Sequence, residues 1–207
     1  GKGTQLPPHV LVMTATPIPR TLALTAYGDL DVSTLDELPP GRLPVRTLLL
    51  RSGEGSRADR LLRETVARGE QAYVVYPLVE ESEKVDLRAA THAVEQLRRA
   101  YPEVNIDLVH GQLDARSRAD AMRGFVAGST QVLVSTTVIE VGADVPGATL
   151  VVVEHAERFG LAQLHQLRGR VGRGNRPGTC VLMARRVTED SEARLAALLR
   201  TTDGFEI

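Results

Sequence analysis

The sequence predicts an α/β fold: an open, doubly wound parallel sheet with helices on both faces, three layers in all. Three observations carry that prediction. Five or six apolar runs of Val, Leu and Ile are near-continuous rather than alternating, as in strands covered on both sides. Segments of helical period separate them, which parallel strands require as crossovers. The chain has 207 residues, 43% of them hydrophobic, enough for one large domain, or one domain and a fragment of another.

The elements follow in order. "VLVM" (Val10–Met13) reads as a short strand ended by "TATPIPR", whose two prolines forbid both helix and ladder. "TLALTAY" reads as a short helix. Residues 28–44, acidic and proline-bearing, read as a linker. "VRTLLL" is a strand, and "SRADRLLRETVARG" an amphipathic helix ended by Gly69. "QAYVVYPLV" is a buried strand, "EESEKVD" a charged loop, and a helix then runs to about Ala100. "NIDLVHG" is a strand. "DARSRADAMRGFVAG" is a helix capped by Asp114, with Gly128 past its end. "QVLVST" and "ATLVVVEHA" are strands, "GLAQLHQLRGR" a helix, "TCVLMA" a strand and "EDSEARLAALLR" a helix. The sheet domain therefore spans roughly residues 45–200. Ligands of such sheets gather at the carboxyl ends of strands, which singles out the loops Pro77–Val85, His110–Leu113, Ser135–Pro146 and Arg168–Arg176.

Composition narrows the chemistry. Aromatics are 3% and Trp is absent, so a base-stacking platform is not expected. No apolar run approaches the ~20 residues that span a bilayer, and no charged-then-apolar leader opens the chain. A cytoplasmic location is expected. The single cysteine, Cys180, excludes an intramolecular disulfide framework and a thiolate cluster; in "GTCVLMA" it reads as a small buried residue. Of 25 basic residues only Lys2 and Lys84 are lysine, a bias that codon usage alone can produce. The net charge of −1 gives no global basic field, so any polyanion must be met by a local cluster.

Three stretches are candidates. In "VLVSTTVIEVGADVP" a strand ends in Ser135, Thr136 and Thr137, small hydroxyls that can approach a phosphate. Gly142 follows, then Asp144, a carboxylate able to accept from ribose hydroxyls. The plainer reading is an ordinary strand-to-helix turn. In "LVHGQLDARSR", Gly111 allows close backbone approach after a strand, whereas the capping Asp114 opposes an anion at the helix start. His110 alone reads as a packed or hydrogen-bonded histidine. "QLRGRVGRG" is sharper. Gly169 and Gly172 free the backbone so that Arg170 and Arg173 project from one side of a loop, and guanidinium groups suit bidentate capture of phosphate oxygens. The alternatives are a solvated basic loop or an Arg–carboxylate network. No G-x-x-x-x-G-K-[ST] and no D-E-x-[HD] occur in the chain, so it lacks a phosphate loop and a paired-acid Mg²⁺ site of its own.

These residues resemble a known family. "TATP" at Thr14–Pro17, "HGQLDARSRADAMRGFVAGSTQVLVST", "GAD" and "QLRGRVGRG" are similar, in order, to the later motifs of superfamily 2 helicases. "FGLAQLHQLRGRVGRG" narrows the resemblance to two branches, RecG-like fork-remodelling translocases and transcription-repair coupling factors. "MTATPIPRTLALTAYGDLDVSTLDELPPGR", "QAYVVYPLVEESE" and "TTDGFEI" favour the RecG family.

The resemblance implies a RecA-like fold. Residues 1–44 would be the end of a first motor lobe with its Thr14–Thr16 coupling motif and the inter-lobe connector. Residues 45–207 would be the second lobe with the start of a C-terminal extension. ATP, with Mg²⁺, would sit between lobes, held mainly by the first. By motif position Arg170 and Arg173 would face the triphosphate, accompanied by Gln166. Asp144 would meet the ribose, and Gly142 would share its turn. Thr136, Thr137 and Gly111 would touch the DNA backbone, and Thr14, Thr16 and Gln163 would couple nucleotide state to DNA grip. Val141 stands where many RNA helicases of the superfamily carry Arg, so that contact does not transfer.

The implied function is the C-terminal lobe of an ATP-dependent double-stranded DNA translocase that remodels stalled forks and branched junctions in recombination and repair. Its partners would be double-stranded and branched DNA and the first lobe and wedge domain of a longer bacterial, nucleoid-associated protein. The fragment alone is expected to be inactive. The alternatives are a coupling-factor lobe and a non-catalytic RecA-like module that binds DNA or protein.

Overall fold

The computed structural model describes residues 43–77, 83–136 and 144–201, with Leu11 and Ser33 besides. The chain divides into two units, Gly1–Leu35 and Asp36–Ile207, and the sheet lies wholly in the second. The strand expected at Val10–Met13 falls, apart from Leu11, outside the described residues; Leu11 itself is in no regular element. Thr14, Thr16, Thr137, Val141 and Gly142 lie outside them too.

The elements are β1 (Arg46–Arg51), α1 (Gly55–Ala67), β2 (Gln71–Val75), α2 (Glu83–Ala100), β3 (Ile106–Val109), α3 (Ala115–Val126), β4 (Val132–Ser135), β5 (Ala148–Val153), α4 (Leu161–Arg168), β6 (Thr179–Ala184) and α5 (Glu189–Arg200). Six strands pair in the order β1-β6-β5-β2-β4-β3, every pairing parallel. The doubly wound sheet read from the sequence is thus the sheet observed. The helix α2 starts at Glu83, so the charged stretch Glu83–Asp86 is its first turn and not a loop.

The pleat of each strand sends alternate side chains into two cores. One contains Tyr73, Val75, Leu133, Val151, Val153 and Leu182 and packs against Phe125 of α3, Leu164 and Leu167 of α4, and Leu195 and Leu198 of α5. The other contains Ala72, Val74, Val134, Leu150 and Val152 and packs against Leu62 of α1 and Val94 of α2. The central strands β2 and β5 are buried throughout, which explains their unbroken apolar sequences; the edge strands β1 and β3 are only partly buried. Each fully buried Leu contributes about 1.5–3 kcal/mol. The helix ends follow the sequence signals. Asp114 accepts from the Ser117 N–H at 2.9 Å, while Gly69 (φ +71°) and Gly128 (φ +78°) turn the chain after α1 and α3.

One expectation fails. The loop Arg168–Arg176 is not at the carboxyl end of the sheet. It precedes β6 and lies along the amino edge: the Gly172 N–H donates to Ala148 O at 3.3 Å, and the Arg46 N–H donates to Gly178 O at 2.9 Å, at the starts of β5 and β1. The physical reason is the parallel winding. A segment that joins a helix to the next strand must finish where that strand begins.

Candidate functional site

The helix α4 aims the arginine loop. Gln163 Oε1 accepts from the Gly160 N–H at 3.0 Å and closes the first turn. Leu164 and Leu167, three residues apart on one face, are wholly buried, and Gln166 beside them is half-buried. Arg168 is only 4% exposed. Its Nη1 donates to Leu198 O and to Thr201 O, both at 2.8 Å, and its Nη2 lies 3.0 Å from His165 Nδ1. Arg168 therefore ties α4 to the carboxyl end of α5, where a cation also complements the helix dipole. The first arginine of "RGRVGRG" is thus a clasp within the fold.

Beyond α4, Val171 is fully buried and pins the loop to the sheet, so that Arg170 and Arg173 flank a fixed point. Two glycines permit the close approach. Gly172 sits at φ +70°, and a Cβ on Gly174 would meet Pro146 O at 2.7 Å. That second contact presses the loop against the segment that begins with Asp144.

The three cations of the loop differ electrostatically. Arg173 Nε donates to Gly169 O at 2.9 Å, and its Nη1 lies 3.6 Å from Asp144 Oδ1 across the surface. Arg176 Nη1 donates to Glu70 Oε1 at 2.8 Å. Arg170 is half-buried, and its Nε is fully buried with no hydrogen-bond partner among the described residues. Burial, and next the neighbouring charge of Arg173, pull its guanidinium below the ordinary arginine value. Tyr73 lies within electrostatic reach of Arg170, Arg173 and Asp144; burial pushes its phenol up to about 12, with the two arginines pulling the other way. Arg170, Arg173 and Asp144 thus form one cluster at the amino edge, with Gln166 on the helix that leads into it. The arrangement can receive an anion. A half-buried guanidinium whose Nε lacks a partner carries a desolvation cost, which an anion beside the cluster would offset.

The residues expected to meet DNA are not in that cluster. The Thr136 N–H donates to Val109 O at 3.2 Å, which puts Thr136 at the carboxyl edge beside the loop of His110 and Gly111. The two edges are a strand length apart, roughly 13–20 Å at ~3.3 Å per residue. Gly111 is exposed. Thr136 is 1% exposed and its hydroxyl, like His110 Nδ1, is buried with no partner among the described residues. Contact between Thr136 and a phosphate would require that edge to open.

Sequence reading missed Glu70, which anchors the loop through Arg176. A lone Glu before a strand carries no local signal: Arg68 is two residues away, but its other partners, Thr149 and Arg176, are 79 and 106 residues away.

The model of the helicase conserved C-terminal domain matches residues 56–175. The chain is 51% identical over 201 residues to the ATP-dependent DNA helicase RecG of Synechocystis sp., covering 97% of this chain and 24% of that protein. It is 50% identical over 202 residues to RecG of Escherichia coli K12, covering 97% of this chain and 29% of that protein. The chain therefore spans about a quarter of the length of the relatives it matches. Among solved structures, RecG bound to a three-way DNA junction superposes with a TM-score of 0.80 at 45% identity, over 93% of this chain and 25% of that one. Dbp5 of S. cerevisiae bound to RNA and ADP BeF3 gives 0.62 at 17% identity, over 90% of this chain and 47% of that one, a likeness of fold alone.

Proposed function

The chain belongs to the family of helicase conserved C-terminal domains, and from that premise we propose that it is the second motor lobe of an ATP-dependent double-stranded DNA translocase that remodels stalled forks and branched junctions. The names of its relatives, ATP-dependent DNA helicase RecG, and the junction-bound RecG neighbour support the substrate class. They favour it over the coupling-factor alternative. The observation that carries the reading is Arg170, a half-buried cation whose Nε lacks a partner, beside Arg173 and Asp144 on one edge.

In this reading ATP binds against a first lobe, and lobe closure brings its triphosphate to the amino edge. Arg173 exchanges Asp144 for phosphate oxygen, Arg170 gains its missing acceptor, and the two neutralise charge that develops as the γ-phosphoryl group leaves. Asp144, released, accepts from the ribose. Mg²⁺ would accompany ATP. No group of three or more His, Cys, Asp or Glu side chains able to hold a metal occurs among the described residues, so its ligands would come from the other lobe. DNA would run along the opposite edge, near Gly111 and Thr136, by phosphate contacts with little base preference. Gln163 already closes the first turn of α4, so a coupling role for it would act through the orientation of that helix. Residues 1–44 would supply the end of the first lobe and the connector. A cytoplasmic location fits this role, and no described helix is long and apolar enough to cross a membrane.

The test is DNA-stimulated ATP hydrolysis by the full-length protein with Arg170→Ala. Turnover should fall by roughly 10³ or more, with junction binding retained. Turnover like that of the unmodified protein would remove the nucleotide site from this edge.

A further inference from the structure

We propose that Glu70 is a positioning residue for the arginine loop: its carboxylate, held at the amino end of β2, braces Arg176 and so fixes the direction in which Arg170 and Arg173 project. The proposal rests on the reading of that loop as facing a triphosphate.

Glu70 is 6% exposed, yet no step of the proposed chemistry uses it. Its carboxylate accepts four hydrogen bonds. Arg68 donates through Nε at 3.1 Å and Nη2 at 3.0 Å, Thr149 Oγ1 donates at 2.5 Å, and Arg176 Nη1 donates at 2.8 Å. Arg68 follows α1, Thr149 belongs to β5, and Arg176 belongs to the loop. One buried anion thus joins the start of the sheet's centre to the far side of the arginine turn. A second anchor lies across that turn, where Val171 is buried and Gly172 bonds to Ala148 O. Arg173 stands between the two anchors.

The need for a brace follows from charge. Arg170, Arg173 and Arg176 fall within seven residues, and Arg170 already feels the repulsion of Arg173. A glycine-rich turn that carries three like charges spreads unless something holds it. Tying one cation to a buried carboxylate withdraws it from the cluster and leaves the other two beside Asp144. Catalysis by charge neutralisation depends on such pre-set geometry, and a misplacement of about 1 Å can reduce rate by about 10²-fold.

In the full-length protein, Arg176→Met removes the loop's half of the brace and leaves Glu70 with Arg68 and Thr149. The side chain of Arg176 is 59% exposed, so its truncation opens no cavity. The expected result is a turnover number for DNA-stimulated ATP hydrolysis lowered about tenfold. The KM for ATP and the affinity for a three-way DNA junction should hold, and the thermal midpoint should fall by no more than about 4 °C. Arg176→Lys should restore most of the rate, and Arg68→Met, which takes a different cation from Glu70, should leave it intact. Unchanged turnover in Arg176→Met overturns the brace. So does a loss that Lys does not restore, one that Arg68→Met reproduces, or one that comes with a thermal midpoint more than about 4 °C lower. Arg173→Ala, assayed alongside, separates the two ideas: full turnover there sinks the nucleotide reading itself.

Discussion

Arg173 Nη1 lies 3.6 Å from Asp144 Oδ1, so two side chains proposed to meet one nucleotide are neighbours on the surface. Asp144 is 64% exposed and Arg173 32%, which makes the pair weak, about 0–1 kcal/mol. In the proposed reading a pair this weak gives way to a phosphate. In the full-length protein, Arg173→Ala should leave DNA binding nearly intact and lower ATP turnover by about 10³-fold or more. Parallel binding and hydrolysis assays check this, and equal loss of both counts against the assignment.

Arg168 and Arg170, two residues apart, should respond oppositely. Arg168→Met strands the carbonyls of Leu198 and Thr201 and should destabilise the fold by about 1–3 kcal/mol, which is a midpoint about 2–4 °C lower per kcal/mol at this size. Arg170→Met removes a half-buried cation whose Nε has no partner, and should leave the isolated chain as stable or up to about 1 kcal/mol more so. Thermal melts of the two variants decide. A large loss in Arg170→Met would mean that the fold already satisfies that guanidinium.

The purified 207-residue chain should hydrolyse no ATP, with or without DNA, because it has no phosphate loop in its sequence. Measurable DNA-stimulated phosphate release would contradict the division of labour between lobes.

Acid should expose Glu70. Its hydrogen bonds from Arg68, first, and from Thr149 and Arg176 lower its carboxyl from the usual 4.5 to about 2, against a burial effect that opposes them. A depressed folded-state value means stability that is fully present above the unfolded value and lost as pH falls through the folded one. The stability gap between the unmodified chain and Glu70→Gln should therefore be constant above about pH 5 and shrink between about pH 4.5 and 2. Denaturant titrations across that range measure it; a gap independent of pH would refute the linkage.

Much of this was legible in the sequence because it is local. Unbroken runs such as "QAYVV" and "ATLVVV" announce strands covered on both faces, Asp114 announces a cap, and glycines between arginines announce a turn. Motif order also groups Arg170, Arg173 and Asp144, which the fold brings to one edge. What sequence spacing could not encode was direction. "RGRVGRG" does not say that its first arginine turns inward to α5, its second half-buries with its Nε unpartnered, and its third reaches Asp144. It does not say that the loop lies on the amino edge while Thr136 lies on the other. Those outcomes come from the parallel winding and from contacts such as Glu70–Arg176, which join residues 106 positions apart. Hydrophobic period fixes which residues are inside, because burial depends on each residue and its near neighbours. Which charge meets which is decided only when distant segments share one edge.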